Sequence, residues 1–381
     1  MPTARMHSSL SPLGVWGVFM DAFTSAPAVD PNRAIRFSGS WREYLPIAAT
    51  NALLIICTLG VYRFWAAARQ RRYLWSRTEF IDDTLEWTGT GKEMFLGFLI
   101  VIAFLAPFFL FIQFLFPALL ARGKADAAFG LIFLFEIALL YLGGVARFRA
   151  LRYRLSRTYW HGIRGGSDDP GWNYGGEYLG RFALSFMTLF IVYPWAATRL
   201  WNSRWNAMSF GPLQFKADLN AEGLKQRWAL IYLAPFGLVI AGAAAGAVAA
   251  TAARSGGPTP ISLTMILFGL AAVFYLGIPL ATLHWYAKYF RKAASVTSLG
   301  DLEFGFDATT LQWLGLFVGN LALAIVTLGF GITYWGYRSW SFMARHLHVY
   351  GTIDVADLTQ STTRAPREAE GFADAFDLGA L

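Results

Sequence analysis

The chain has 381 residues, 56% of them hydrophobic and only 15% charged, with a mean hydropathy of +0.42. A soluble domain carries about 25% charged residues, so an ordinary soluble enzyme or binding module is excluded. The net charge of +8 does not point to nucleic acid, because Lys and Arg stand directly beside apolar runs, where they set topology and meet lipid headgroups. The single cysteine, Cys57, excludes an internal disulfide and any CxxC pattern.

Residues 1–32 are rich in Ser, Pro and Ala and predict a disordered or surface-lying tail. Leu13 to Phe23 is apolar, but it is short and interrupted by Asp21, so it does not read as a cleaved leader. A repeat-containing membrane domain is predicted over residues 33–358. It opens on a strand-like stretch, Ile35 to Gly39, followed by an apolar segment from about Tyr44 to Tyr62 with Asn51 inside. The next stretch, Thr58 to Phe80, has the composition of a segment leaving a bilayer: aromatics Tyr62, Phe64 and Trp65, then five arginines ending at Arg77.

Thr84 to Gly91 again reads as strand and turn. A long apolar block from about Met94 to Leu120, a polar turn at Arg122 to Asp126, and a second block from about Ala127 to Ala146 predict a transmembrane hairpin. A second basic helix, Arg147 to Arg157, and a loop at Gly165 to Gly176 follow. The next apolar segment is short, about Phe182 to Trp195, and leads to a strand-like Leu213 to Ala217. A second hairpin covers about Trp228 to Ala253 and Ile261 to Leu283, with a strand-like Leu302 to Asp307 behind it. The last apolar segment, about Leu311 to Trp335, contains Asn320. A strand-like His348 to Asp354 precedes a tail, 359–381, predicted to be disordered.

Three apolar segments end alike. Thr58-Leu59, Thr188-Leu189 and Thr327-Leu328 each lie eleven residues before an arginine: Arg69, Arg199 and Arg338. An aromatic lies four residues before each arginine: Trp65, Trp195 and Tyr334. That spacing puts each pair on one helix face, where lipid-headgroup binding or interface anchoring is the expected role. Asn51 and Asn320 stand seven residues before their threonines. The order of single segment, hairpin, single segment, hairpin, single segment predicts internal duplication.

Charge decides between two topologies. If all seven apolar segments cross, Lys and Arg divide almost evenly between the two sides. If each single segment returns to the side it entered from, every Lys and Arg except Arg122, Lys124, Arg254 and the edge residue Arg181 falls on one side. The positive-inside rule favours the second arrangement, with the basic loops cytoplasmic and the single segments re-entrant. A seven-helix bundle is the alternative.

The residues of the exit stretch carry a resemblance. Thr58, Gly60, Tyr62, Trp65, Arg69, Tyr73, Thr78 and Phe80, preceded by Phe37 and Gly39, resemble the YjgN family of bacterial inner-membrane proteins, a domain of unknown function. The middle copy departs, with Phe190 where Gly60 stands and Ser203 where Tyr73 stands. The resemblance implies a multi-pass inner-membrane protein and brings no activity, substrate or catalytic residue.

Glu136 is the sharpest single residue. An intramembrane carboxylate is costly and marks a functional site by default. Reflecting the hairpin about Lys124 places Gln113 near the same depth, so a hydrogen-bonded Gln113–Glu136 pair is expected. Asn51 and Asn320 are expected to line a polar cavity or to bridge helices. The five histidines show no metal spacing, and no P-loop, dinucleotide fingerprint or nucleophile elbow is present. The sequence therefore predicts an all-α polytopic membrane protein with a small strand-containing cytoplasmic cap and no enzymatic activity, metal or cofactor. Its partner is the lipid bilayer, anionic lipids included. Transport or lipid handling through a polar intramembrane site is the first expected function, and a scaffold whose basic face binds lipid or protein is the second.

Overall fold

The computed structural model describes residues 34–254, 265, 268–353 and 358–364. Within them, helices come in pairs that rise from a layer of short strands. The pairs are α1 (Trp41–Cys57) with α2 (Arg63–Ser76), α3 (Gly91–Ala121) with α4 (Ala125–Arg157), α5 (Trp172–Met187) with α6 (Tyr193–Asn206), α7 (Lys225–Arg254) with α8 (Phe268–Ser295), and α9 (Thr310–Val326) with α10 (Trp335–His346). Helix α3 passes through a π-turn at Phe111–Leu115 and α8 through one at Val273–Gly277.

The strand layer corrects the expectation of an all-α fold. Strands β1 (Ile35–Phe37), β2 (Thr78–Phe80) and β3 (Asp83–Thr84) form one antiparallel sheet. Strands β4 (Glu86–Trp87), β5 (Thr158–Trp160), β6 (Ile163–Gly166), β7 (Ser209–Phe210), β8 (Leu213–Ala217), β9 (Thr297–Leu299), β10 (Leu302–Phe306) and β11 (Leu347–Tyr350) form an eight-stranded meander in chain order. The strand-like readings at 35, 84, 213, 302 and 348 all touch strands of this layer. The loop expected at Gly165 to Gly176 is in part β6 and in part the start of α5, because Gly165 and Gly166 pair with Phe210 and Ser209.

One rule runs through the connectivity. The strand before each helix pair is the antiparallel neighbour of the strand after it. Phe37 faces Thr78 around α1–α2, Trp87 faces Thr158 around α3–α4, and Gly166 faces Ser209 around α5–α6. Ala217 faces Thr297 around α7–α8, and Phe306 faces Leu347 around α9–α10. Opposed residues in an antiparallel pair lie about 5 Å apart, so both ends of every helix pair are held in the same layer. The chain returns to the side it left each time, and seven alternating crossings do not fit this connectivity.

Among the described residues, four helices are long and apolar enough to cross a membrane: Gly91–Ala121, Ala125–Arg157, Lys225–Val248 and Phe268–Ser295. The protein is a polytopic membrane protein. The three single apolar segments are the first legs of short pairs, and their second legs carry Arg69, Arg199 and Arg338; the basic helix expected at Arg147 to Arg157 is instead the foot of α4. At 17, 16 and 17 residues, α1, α5 and α9 are about 25 Å long, less than the roughly 30 Å hydrocarbon core. Their tips are apolar and bare, with Leu59 95% and Leu328 90% exposed.

The three short pairs turn in the same way. In each, the threonine hydroxyl bonds the carbonyl four residues back, at 2.6 Å for Thr58, 2.8 Å for Thr188 and 2.6 Å for Thr327. The next two residues are left-handed: Leu59 and Gly60, Leu189 and Phe190, Leu328 and Gly329. Phe190 adopts φ 64° without a glycine's freedom, a conformation that costs about 1–2 kcal/mol.

Caps and ion pairs seat the helices on the layer. Ser40 caps α1, Thr90 caps α3, and Thr309 forms a capping box with Gln312 on α9. Glu93, in the first turn of α3, accepts from Arg157 at 3.1 Å and from Tyr153 Oη at 2.9 Å, which ties both feet of the first long pair together. The first and last pairs also meet: Tyr44 Oη donates to the Thr333 carbonyl at 3.1 Å and Tyr337 Oη to the Gly39 carbonyl at 2.9 Å. Residues 359–364, expected within a disordered tail, run along the β5–β6 turn. There Gln360 donates to the Gly162 carbonyl at 2.8 Å and the Arg364 amide to Asp168 at 2.9 Å. The loop expected at residues 254–260 and the tail 1–32 lie outside the described residues, apart from Arg254.

Candidate functional site

The structure does not bring Gln113 and Glu136 together. Both are exposed and no hydrogen bond joins them. Phe135 fills the seam between α3 and α4, with its ring 5.2 Å from Phe108 and 5.3 Å from Phe111. A seam occupied by phenyl rings packed edge-on and tilted leaves no place for the polar pair between the helices. Asn51 and Asn320 are buried, at 1% and 7% exposure. Asn51 Nδ2 lies 3.5 Å from the Ala66 carbonyl, and the Oδ1 atoms of both asparagines have no partner among the described residues. Each packs within its own short pair.

The aromatic and arginine pairs take different surroundings. Trp65 packs on Tyr62 and Phe95 while Arg69 is exposed. Tyr334 packs against both Tyr44 and Tyr337, and the half-buried Arg338 packs on Gly319, where a Cβ would collide with its guanidinium. Trp195 is covered by Arg181 at 5.2 Å, and Arg199 is exposed.

Arg181 leads to the site. A cavity of about 500 Å³ lies where the middle short pair α5–α6 meets the feet of α4 and α8. Three arginines line it, Arg147 from α4, Arg181 from α5 and Arg204 from α6, and the lining contains no carboxylate. Its walls are aromatic: Tyr174, Tyr178, Tyr193, Trp285 and Tyr289 are among the lining residues. Each guanidinium lies over a ring, Arg147 over Tyr178 at 4.9 Å, Arg181 over Trp195, and Arg204 over Trp201 at 5.7 Å. Such contacts hold a cation in place without neutralising it.

The cavity is built by secondary structure rather than by loops. Gly171 starts α5 in the left-handed region and packs on Phe148 of α4. Gly144 and Gly175 let α4 and α5 approach closely, since a Cβ on Gly175 would strike Val145 and the Tyr141 carbonyl. Trp228 Nε1 donates to the Phe190 carbonyl at 2.8 Å, and Tyr289 Oη to the Ala197 carbonyl at 3.1 Å, fixing the two far walls. Burial pushes the Tyr174 phenol up, and the positive charges of Arg204 and Arg147 act in the opposite direction. Arg204 is 7% exposed. Arg181 is half-buried and Arg147 is exposed at the rim. A positive cluster with aromatic walls can hold an anion carrying an apolar body.

Sequence reasoning did not single out Arg147, Arg181, Arg204 or Ser185. One signal was available. Arg181 stands seven residues before Thr188, the place that Asn51 and Asn320 occupy before their threonines. It is also the basic residue that lies at a segment edge, outside the loops used to read topology.

Known proteins resemble parts of this chain. Inner membrane protein YjgN of Escherichia coli O157:H7 is 27% identical over 134 residues, and that of Escherichia coli strain K12 is 28% identical over 137 residues. Each match covers 35% of this chain but only 31% of the relative's length. Inner membrane protein YjgN of Salmonella typhimurium is 31% identical over 70 residues, 18% of either chain. No solved structure matches the chain. The model of a family described as bacterial protein of unknown function (DUF898) matches residues 32–375. With all of its described residues inside that match, the chain belongs to the DUF898 family.

Proposed function

We propose that this is a lipid-handling protein of the bacterial inner membrane that takes the headgroup of an anionic lipid into the arginine-lined cavity. One observation carries the reading: three guanidinium groups and no carboxylate line an aromatic cavity at the feet of membrane-spanning helices. The relatives' printed name, inner membrane protein, fits the location. The positive-inside rule puts the strand layer and the basic helices in the cytoplasm. The cavity then lies near the inner leaflet, where anionic lipids supply negative potential. The apolar tips of the short pairs enter that leaflet, and Trp65 and Trp195, each 37% exposed, serve as interface anchors.

The reading rests on the cavity rather than on Glu136, which has no polar partner in the seam. It assigns a binding role and no catalytic step. The shared strand rule and the three matching turns support descent of the helix pairs from a duplicated unit.

The test is lipid retention. Protein purified in mild detergent is extracted and its bound phospholipid is identified by mass spectrometry. Wild type is expected to retain anionic lipid, and Arg147→Gln with Arg181→Gln to lose most of it while keeping the same gel-filtration profile. Wild type free of anionic lipid, or a double variant that retains as much, overturns the proposal.

A further inference from the structure

We infer that the group held in the cavity is a phosphate monoester, gripped by Arg147, Arg181 and Arg204 with the hydroxyl of Ser185 as a further donor. This rests on the lipid-handling reading and narrows it to a headgroup class.

Ser185 supplies the independent observation. It lines the cavity, is 2% exposed, and its Oγ has no hydrogen-bond partner among the described residues. A hydroxyl on a helix normally bonds the carbonyl a turn back when nothing else is on offer. Thr188, one turn away, does so with both the Leu184 and Ser185 carbonyls. Ser185 does not, and a buried hydroxyl left this way is costly unless a ligand completes it.

Arg181 adds to this. Its Nη2 pairs with Glu177 at 3.2 Å, outside the lining, while its buried Nε has no partner among the described residues. Nε and one Nη form the edge of the guanidinium that matches two phosphate oxygens.

The chemistry then selects among phosphates. A phosphomonoester offers three terminal oxygens and roughly −1.5 to −2 charge at neutral pH. A phosphodiester offers two free oxygens and a single negative charge. The guanidinium groups of Arg147 and Arg181 and the Ser185 hydroxyl give each of three terminal oxygens a donor, one more than the two free oxygens of a diester. An ethanolamine or choline headgroup would bring an ammonium into a lining that has three cations and no carboxylate. A lipid monoester and soluble phosphate share the selected chemistry, and binding separates them.

Trp201 and Trp285 line the cavity, so intrinsic fluorescence reports its occupancy. The full-length protein in detergent is titrated with short-chain phosphatidic acid, short-chain phosphatidylglycerol and inorganic phosphate. The monoester lipid is expected to bind about tenfold or more tighter than the diester, the difference of one charge-assisted bidentate contact. Ser185→Ala, which removes an atom with no partner and so keeps the fold, is expected to narrow that preference. Arg181→Lys, which keeps the charge but loses the fork, is expected to weaken the monoester most. Equal affinity for the two lipids sinks the monoester assignment and leaves the lipid reading standing. If neither lipid nor phosphate binds, both fall. Inorganic phosphate binding as tightly as phosphatidic acid upholds the monoester class and moves its source from the membrane to solution. A Ser185→Ala protein with unchanged preference removes the serine from the site and overturns the assignment.

Discussion

The indole of Trp340 donates to Thr78 Oγ1 at 2.8 Å across 262 positions of sequence. The same indole stacks on Trp75 with ring centroids 4.0 Å apart. Trp75 in turn donates to Thr158 at 2.9 Å, and Trp201 donates to Thr297 at 3.1 Å. In each case a tryptophan of a short helix pair holds the first threonine of a strand that follows another helix pair. The Trp340–Thr78 bond joins the last pair to the first and brings the two ends of the domain together.

Trp340→Phe preserves the stack and removes the bond. Thermal unfolding in detergent is expected to show a loss of about 0.5–1.5 kcal/mol. Thr78→Val should cost a similar amount, and the double variant less than the sum of the two, because they share one interaction. Full additivity would mean that the bond contributes nothing to closure.

Gly60 and Gly329 are set at φ 91° and 93° with open space where a Cβ would lie. Backbone conformation alone therefore opposes a side chain there. Gly60→Ala and Gly329→Ala are each expected to destabilise the protein by about 1 kcal/mol, and Gly60→Asn by less, because asparagine tolerates the left-handed region. Denaturant titration followed by tryptophan fluorescence measures the order. An alanine variant as stable as wild type would refute the turn geometry.

Asp307 follows β10 and accepts from His346 Nδ1 at 2.5 Å and His348 Nε2 at 3.0 Å. Burial works against its charge, but the hydrogen bonds from His348 and His346 outweigh it and hold the carboxyl below its ordinary range. A depressed carboxylate stabilises the fold above its unfolded-state value, about 3.9, and loses that contribution as pH falls through the lower folded value. Asp307→Asn is expected to melt below wild type at about pH 6, with the gap closing as the pH drops below about 4. A gap independent of pH would assign Asp307 a purely steric role.

Orientation is read by single-cysteine labelling in a Cys57→Ala background. Probes beside Arg69, Arg152, Arg204 and Arg345 are expected to react from the cytoplasmic face, and probes beside Arg122 from the other face. Each residue of the first set lies on a helix whose foot runs into the strand layer. Opposite labelling of the Arg69 and Arg204 probes would break the strand rule.

Much of this was written locally in the sequence. The lengths of the apolar runs determined which helices are long enough to cross a bilayer. Thr58, Thr188 and Thr327 marked three turns that share one hydrogen-bond pattern, because a turn is made by residues a few positions apart. The bias of Lys and Arg pointed to helix pairs that return to one side, and the paired strands have that form. Other features had no local signal. Strands of two to five residues are too short to carry a two-residue period, and Gly165 and Gly166 read as loop until Phe210 and Ser209 pair with them. Depth along a hairpin suggested Gln113 and Glu136 as partners, but rotation about each helix axis, set by how Phe108, Phe111 and Phe135 pack, turned them away from the seam. Arg147, Arg181, Arg204 and Ser185 come from three helices and meet only when α5 and α6 dock between the two long pairs. Local sequence determined the helices and turns of this protein; long-range strand pairing and ring packing decided its layer and its cavity, because those energies depend on partners that adjacent residues do not specify.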